Sequence, residues 1–224
     1  PFVAELSDVV FAEVAYYSST QRMPLVKDGL QVCVPSMEIN VPVAETQDTC
    51  TTFGTGSEIG DNIADINLQD CNGNWVSLHA SCGKKVVWWV AVASWCSACR
   101  TWVPQVEDYL RQVGDADMTV YYILGEDNDY GQPDLAECKA YASRNNLAND
   151  RVLIDWSQGG GGWTRFFGNI DPYIPASGEF SIPFNAVLDG RAMIYEYSDS
   201  APNSAYPDGP YDDIVDALET ILNR

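Results

Sequence analysis

The stretch "VVWWVAVASWCSACRTWVP" at residues 86–104 places two cysteines, Cys96 and Cys99, after an apolar run that is rich in valine. A run of this kind predicts a central strand buried on both faces of a sheet. From Cys99 to Val113, apolar residues then recur three or four positions apart, which predicts one apolar stripe along a helix. The cysteine pair therefore lies where a buried strand ends and a helix begins.

Three uses of such a pair can be compared. Haem attachment needs a histidine directly after the second cysteine, and Arg100 stands there. A zinc site needs about four ligands, yet the other cysteines form no second pair of this spacing and His79 is the only histidine. A structural bridge between residues three apart would restrain almost no loop. We therefore favour a redox pair and expect no metal or other cofactor.

The predicted position of each cysteine in the helix indicates its role. Unpaired backbone N–H groups and the helix dipole stabilise a thiolate at the N-terminus, so Cys96 is predicted to face solvent as the attacking group. Cys99, one turn later, is predicted to be the buried partner that resolves a mixed disulfide. Trp95, directly before the pair, is expected to shield one side of it.

Composition limits the partners and the compartment. Apolar residues make up 46% of the 224 residues, which is enough to bury a core. The net charge of −20 excludes nucleic acid and anionic membranes as expected partners. Seven cysteines indicate an oxidising compartment, so we expect a secreted, periplasmic, cell-surface or extracellular protein. No apolar run approaches the ~20 residues that a membrane-spanning helix needs.

The order of predicted elements defines two regions. Residues 59–224 read as hairpin, strand, helix, strand, helix, strand, irregular segment, hairpin and helix, which predicts an α/β fold with a mixed central sheet flanked by helices. Residues 1–58 read as an N-terminal extension. Its first 17 residues show helical spacing, although a strand is also compatible, and the rest resembles an extended arm or short hairpin. An arm of this type could form a homo-oligomer by swapping into a neighbour.

The remaining cysteines are expected to form structural disulfides. A bond between Cys33 and Cys50 would close the loop-rich extension. Cys71 and Cys82 flank a hairpin strand, so a local bond between them is plausible. Cys138, on the apolar face of a helix, is expected to be a buried free thiol. The alternative is that Cys138 is bonded to Cys71 or Cys82.

Two segments far apart in the chain carry a family resemblance. "GKKVVWWVAVASWCSACRTWVPQV" resembles the active-site segment of thioredoxin-fold proteins, and is most similar to the TlpA-like reductases and redoxins of bacterial envelopes. Pro104 stands where thioredoxins carry the proline that kinks the active-site helix. "INLQDCNGNWVSLHASCGK" resembles the N-terminal part of redoxins, and "SIPFNAVLDGRAMIYEY" resembles the segment that holds their cis-proline, here Pro183. The resemblance covers about residues 58–224.

The resemblance implies a thioredoxin-like fold and a thiol–disulfide oxidoreductase. Its substrates would be protein thiols or disulfides, and a second redox protein would supply or accept electrons. A cis bond before Pro183 would expose the backbone of Ile182 to an extended substrate peptide. Trp95, Ser97 and Ala98 would complete the substrate-contacting surface.

The sequence also departs from the family, which keeps other functions open. Val90 and Trp102 stand where relatives carry acids that accept the proton of the buried thiol. A thiol peroxidase is one alternative, but Trp89 and Ala93 stand where peroxiredoxins place a Pro and a Thr or Ser. The other alternative is a non-enzymatic thioredoxin-fold subunit of an extracellular or surface assembly.

Two further segments are notable. The acidic stretch "GEDNDYGQPD" at 125–134 is predicted to be a solvated loop that helps shape the partner surface, with calcium binding as the minor alternative. The aromatic residues Trp156, Trp163, Phe166 and Phe167 surround the four glycines at 159–162. Core packing is the expected role of these aromatics, and a substrate-facing lip is the alternative.

Overall fold

The computed structural model describes residues 2–12, 31–41, 50, 53–171, 181–200 and 212–224, with backbone only at 2–12, 31–41 and 200. The chain divides into two compact units, residues 1–47 and 48–224. In the first unit, strands β1 (Phe2–Ala12) and β2 (Gln31–Val41) pair in antiparallel fashion. The helical interpretation of residues 2–12 is therefore wrong, and the strand alternative is confirmed. The apolar pattern of this sequence is compatible with either element, and pairing with β2 makes it a strand.

The boundary between the units differs from the predicted division at residue 58. Cys50 is bonded to Cys82, which joins it to the second unit. The backbone N–H groups of Gly60 and Ile63 donate to the carbonyls of Tyr195 (2.7 Å) and Met193 (2.9 Å). Cys50 and residues 53–58 thus lie in the second unit, where the carbonyl of Ser57 also accepts the backbone N–H of Asp171 (2.8 Å).

The second unit contains nine strands, four α-helices and a 3₁₀ turn among its described residues. The strands are β3 (Asn67–Asp70), β4 (Trp75–Ser77), β5 (Val86–Ala93), β6 (Met118–Glu126), β7 (Val152–Ile154), β8 (Trp156–Ser157), β9 (Gly161–Gly162), β10 (Phe184–Asp189) and β11 (Ile194–Ser200). The helices are α1 (Ser97–Val113), α2 (Leu135–Arg144), α3 (Thr164–Phe167) and α4 (Ile214–Leu222), and the 3₁₀ turn spans Leu78–Ser81. The second strand of the first hairpin, β4, ends at Ser77, and the 3₁₀ turn follows it directly.

The main sheet has seven strands in the order β11-β10-β5-β6-β7-β3-β4. The central strands β5, β6 and β7 are parallel, and α1 and α2 connect them. On either side, β10 pairs with β5 and β3 pairs with β7 in antiparallel fashion. The predicted mixed α/β sheet is confirmed, and it places the carboxyl end of β5 at the start of α1.

The core forms between this sheet and α1. All eight residues of β5 are buried, as expected for a valine-rich strand covered on both faces. The apolar stripe of α1 packs on the sheet through Cys99, Trp102, Val103, Val106 and Leu110. Burial of each large apolar side chain contributes roughly 1.5–3 kcal/mol, so this contact holds the first turn of α1 firmly.

Two structural disulfides correct the predicted pairings. The bonds are Cys50–Cys82 and Cys71–Cys138, so the expected pairs Cys33–Cys50 and Cys71–Cys82 are wrong. Cys71 follows β3, and the sheet order brings it against α2, where its Cα lies 5.2 Å from that of Cys138. Cys138 is therefore not a free thiol, and the alternative bond to Cys71 is confirmed. Cys33 lies in β2, where side chains are not described.

The hairpin between β3 and β4 turns at Asn72-Gly73, as its sequence predicts. Asp70, which is buried, accepts N–H groups from Asn72 (2.8 Å) and Asn74 (2.8 Å). Burial alone would raise the pKa of Asp70, but the hydrogen bonds from these two asparagines outweigh it and lower that pKa. This ionised carboxylate fixes the turn that carries Cys71 towards α2.

The aromatic segment after β7 belongs largely to the core. Trp163 and Phe166 are buried, whereas Trp156 and Phe167 are half-buried. The Trp163 indole donates to the carbonyl of Ile123 (3.0 Å) and lies so close to Gly125 that a Cβ there would overlap its ring. Core packing is confirmed for Trp163 and Phe166.

No helix in the described ranges combines the length and apolar character needed to cross a membrane.

Candidate active site

Cys96 and Cys99 lie together at the start of α1, as predicted. Cys96 is the N-cap of the helix, and Cys99 is buried one turn later. The two sulfurs form a disulfide with an S–S distance of 2.14 Å. The backbone N–H of Cys99 donates to Cys96 Sγ at 3.0 Å. An N–H that points at this sulfur, together with the helix dipole, stabilises negative charge there once the bond is reduced.

The exposure of Cys96 differs from the prediction. Cys96 is only 2% exposed, so its side chain does not face solvent in the oxidised pair. The carbonyl oxygen of Ile182 lies 3.5 Å from Cys96 Sγ. Ser97 and Ala98, between the cysteines, are exposed. Solvent therefore reaches these two residues and, in part, Ile182, but not the sulfur of Cys96.

The Ile182–Pro183 segment is placed by the sheet. The peptide bond between these residues is cis. Directly after it, β10 begins at Phe184, which lies opposite Ala91 near the carboxyl end of β5. Because the cysteines follow that same end of β5, the sheet brings residue 182 next to Cys96 although 86 positions separate them.

Trp95 turns towards the loop after β6. Its indole N–H donates to Glu126 Oε2 at 2.7 Å, and its ring lies 5.0 Å from that of Tyr130. Tyr130 is 65% exposed and has a φ of 61°, an uncommon backbone conformation for a bulky residue. Asp127 Oδ1 holds the loop by accepting the N–H groups of Asp129 and Gly131, both at 2.8 Å. The sequence predicted a loop here but did not identify Tyr130.

The two positions where relatives carry acids both lie against one buried amide. Val90 is opposite Asn185 in the pairing of β5 with β10. The indole N–H of Trp102 donates to Asn185 Oδ1 at 2.9 Å, and that of Trp88 donates to the same oxygen at 3.1 Å. Asn185 is fully buried, so its amide fixes the ring of Trp102 one turn after Cys99.

Asn185 in turn leads to a buried carboxyl group. Its Nδ2 donates to Asp199 Oδ1 at 2.8 Å, and Tyr197 Oη donates to Asp199 Oδ2 at 3.1 Å. Burial raises the pKa of Asp199 to about 6, partly offset by these two donors and reinforced by the nearby charge of Asp213. Burial and the neighbouring Asp199 also raise the pKa of Tyr197.

Sequence reasoning missed this network. The one available signal was a polar residue inside the buried strand "FNAVLD", since a buried amide needs partners. Asp199 gave no signal, because "SDSAPN" reads as a surface turn.

Within the described ranges, no group of three or more His, Cys, Asp or Glu side chains is placed to hold a metal ion.

The sheet order, the cysteine pair at the start of α1 and the cis-proline beside it define a thioredoxin-like fold. Comparison with protein families agrees: residues 59–160 match the AhpC/TSA family. The resemblance to redoxins is therefore confirmed over residues 59–160. The comparison with curated proteins gives no significant match.

Solved structures show the same fold. A candidate protein disulfide isomerase from Bacteroides thetaiotaomicron is 20% identical, with a TM-score of 0.51 over 78% of this chain and 96% of its own. A hypothetical protein from Sinorhizobium meliloti 1021 is 19% identical, with a TM-score of 0.50 over 77% of this chain and 88% of its own. At these identities the likeness concerns the fold alone.

Proposed function

We propose that this protein is a thiol–disulfide oxidoreductase that exchanges disulfides with protein partners through Cys96 and Cys99. The observation that carries the proposal is the hydrogen bond from the N–H of Cys99 to Cys96 Sγ at the N-cap of α1. That donor and the helix dipole favour the Cys96 thiolate, which is the form that attacks a disulfide. An ordinary structural bridge has no need of either.

The reaction transfers two electrons in two steps. In the reduced protein, the Cys96 thiolate attacks one sulfur of a partner disulfide, and the other partner sulfur leaves as a thiolate that takes up a proton. The thiol of Cys99 then loses its proton to solvent and attacks Cys96 Sγ. This step forms the Cys96–Cys99 disulfide and releases the second partner sulfur. The partner is reduced, the pair is oxidised, and the reverse sequence oxidises a dithiol.

The Ile182–Pro183 segment lies beside Cys96, which supports a role for this segment in orienting a partner peptide. The Ile182 carbonyl lies 3.5 Å from Cys96 Sγ, so an extended peptide that pairs with this backbone would bring its own sulfur close to Cys96. Pro183 anchors this segment by its buried ring at the start of β10. Exposed Ser97 and Ala98 would contact the partner from the helix side, and Trp95 from the side of Tyr130.

The structural disulfides also bear on the compartment in which the protein works. Two buried or half-buried structural disulfides accompany the redox pair, and such bonds persist in oxidising compartments. We therefore place the protein in the periplasm, at a cell surface or outside the cell, where a separate redox protein would exchange electrons with it.

Turnover with a model protein disulfide tests the function. The full chain should reduce insulin when dithiothreitol supplies electrons, and Cys96→Ser should abolish this activity because the remaining sulfur, that of Cys99, is buried. Cys99→Ser, reduced and then freed of dithiothreitol, should instead accumulate a mixed disulfide with the substrate, visible by mass spectrometry. The double variant Cys50→Ser/Cys82→Ser is the matched control and should keep its activity. Normal turnover by Cys96→Ser would refute the assignment.

Thiol peroxidase activity is the second candidate, and the AhpC/TSA match of residues 59–160 is the observation in its favour. In that reaction the Cys96 thiolate would attack a peroxide, release water or an alcohol, and become a sulfenic acid that Cys99 converts to the disulfide. Consumption of hydrogen peroxide by the reduced chain distinguishes the two reactions. Fast consumption with no insulin reduction would favour the peroxidase.

A further inference from the structure

A buried carboxyl group is linked by hydrogen bonds to the helix that carries the redox pair. Asp199, on β11, is 4% exposed and its two oxygens accept hydrogen bonds from Asn185 and Tyr197. Among the described residues, the titratable groups that face it are Tyr197 on its own strand and Asp213 at the N-cap of α4. Neither is cationic, and within the described part of the chain the donors to this carboxyl group are the neutral side chains of Asn185 and Tyr197.

A continuous series of hydrogen bonds joins Asp199 to the helix that carries the cysteines. Asn185 Nδ2 donates to the carboxyl group at 2.8 Å, while its Oδ1 accepts the indole N–H of Trp102 at 2.9 Å. The same oxygen accepts the indole N–H of Trp88 at 3.1 Å. Because Oδ1 accepts two indole N–H groups and Nδ2 donates to Asp199, the amide of Asn185 has one orientation, and Asp199 holds its NH₂ end.

The series ends one helical turn from the buried cysteine. Trp102 follows Cys99 by three residues on the buried stripe of α1, an axial rise of about 4.5 Å. Trp88, Val90 and Asn185, which fill the space beneath the stripe, are all at most 1% exposed. In such surroundings charges interact over longer distances than they do in water.

We propose that the charge of Asp199 controls how readily a thiolate forms at Cys96 and Cys99, while Asn185 and Trp102 hold the carboxyl group in a fixed place relative to the helix that carries the pair. This inference rests on the proposed disulfide exchange, because it assigns a control to that reaction. The hydrogen bonds persist in both protonation states, since a protonated Asp199 still accepts from Asn185 and can donate to Tyr197. Only the charge changes.

The direction of the effect follows from the sign of the charges. An ionised Asp199 opposes a second negative charge in the same apolar interior, so it disfavours the thiolate and favours the disulfide or the thiol. A protonated Asp199 removes this repulsion. By reciprocity, reduction of the pair to a thiolate raises the pKa of Asp199 by the same coupling free energy. The reactivity of the reduced protein should therefore change as Asp199 titrates.

The rate of Cys96 alkylation by iodoacetamide, followed in the full reduced chain from pH 4.5 to pH 9, tests this. The wild-type profile should show the thiol inflection and a second inflection where Asp199 titrates. Asp199→Asn keeps the shape of the side chain and removes the charge. It should lose the second inflection and react about threefold to tenfold faster at pH 7.5.

Two further variants separate charge from structure. Tyr197→Phe removes one donor but leaves the carboxyl group, so the second inflection should remain and move to higher pH. The exchange Asn185→Asp/Asp199→Asn moves the charge next to Trp102 and still satisfies every donor. It should restore the second inflection and slow alkylation at least as strongly as in the wild type. Melting curves confirm that each variant is folded.

Each outcome bears on the proposal. If the Asp199→Asn profile superimposes on that of the wild type, or if the exchange variant shows no second inflection, Asp199 is structural only and the proposal is wrong. Failure of the proposed function looks different: the profiles would change as described while insulin is not reduced. Normal insulin turnover with unchanged profiles would instead reject only the control by Asp199.

Discussion

At the scale of single residues, Asp199 should link the stability of the protein to pH. Its pKa is raised from 3.8 to about 6 in the folded chain, so folding favours its protonated form. The resulting stability is fully present below pH 3.8 and is lost as the pH rises through about 6. The full loss corresponds to about 3 kcal/mol.

Urea unfolding of the wild type and Asp199→Asn at pH 4 and pH 7.5 measures this effect. The variant should gain about 2–3 kcal/mol on the wild type between the two values, because it carries no charge at either. Asp134→Asn is the control, since asparagine also caps helices and Asp134 is an exposed N-cap of α2. An equal difference between Asp199→Asn and wild type at both pH values would contradict the raised pKa.

Residue roles that depend on neighbours in the chain were predictable, and those that depend on tertiary partners were not. Cys96 and Cys99 were placed correctly because a strand, a pair and a helical stripe follow one another in sequence. The cover over Cys96 was missed because it comes from Ile182, 86 positions away. Asn185 and Asp199 were missed because their hydrogen-bond network joins one helix and three strands.

At the scale of elements, the bond between Cys71 and Cys138 should contribute much of the stability of the second unit. It ties the β3–β4 turn to α2 across 67 residues, and both cysteines are fully buried. Closing a loop of that length stabilises a fold by about 4 kcal/mol in the chain-entropy model. Cys71→Ser/Cys138→Ser should therefore lower the free energy of unfolding by about 2–4 kcal/mol and leave the reactivity of Cys96 intact.

The second structural bond provides the comparison. Cys50–Cys82 spans 32 residues and includes a half-buried cysteine, so Cys50→Ser/Cys82→Ser should cost less. Urea unfolding of both double variants, with the Cys96–Cys99 pair oxidised, ranks the two bonds. A larger loss on removing Cys50–Cys82 would contradict loop length as the deciding factor.

Element types were predictable where the apolar residues follow a clear pattern, either a continuous run or a helical stripe. The sheet strands β5 and β6 and the helices α1, α2 and α4 follow their apolar patterns, and the hairpin at Asn72-Gly73 follows its turn residues. The pattern of β1 fits both a helix and a strand, and only pairing with β2 decides between them. Disulfide partners were not predictable from the spacing of the cysteines. The bond between Cys71 and Cys138 depends on the pairing of β3 with β7, which brings Cys71 next to α2.

At the scale of the whole molecule, the net charge of −20 should select among partners if the proposed exchange occurs. The loop beside Trp95 adds local negative charge through Glu126, Asp127 and Asp129. Such a field attracts cationic substrates and raises their association rate by about tenfold or more at low ionic strength. Salt screens it, since the Debye length falls to about 3 Å at 1 M.

Two cystine peptides that differ only in flanking residues, Lys in one and Glu in the other, test this selection. The reduced protein should react faster with the Lys peptide by about tenfold in 10 mM salt. The ratio should fall towards one in 1 M salt, where screening removes long-range attraction. An uncharged cyclic disulfide is the control and should show little dependence on salt. A Lys-to-Glu ratio near one at low salt would mean that contacts at Ser97, Ala98 and Ile182, rather than the charge of the molecule, select the partner.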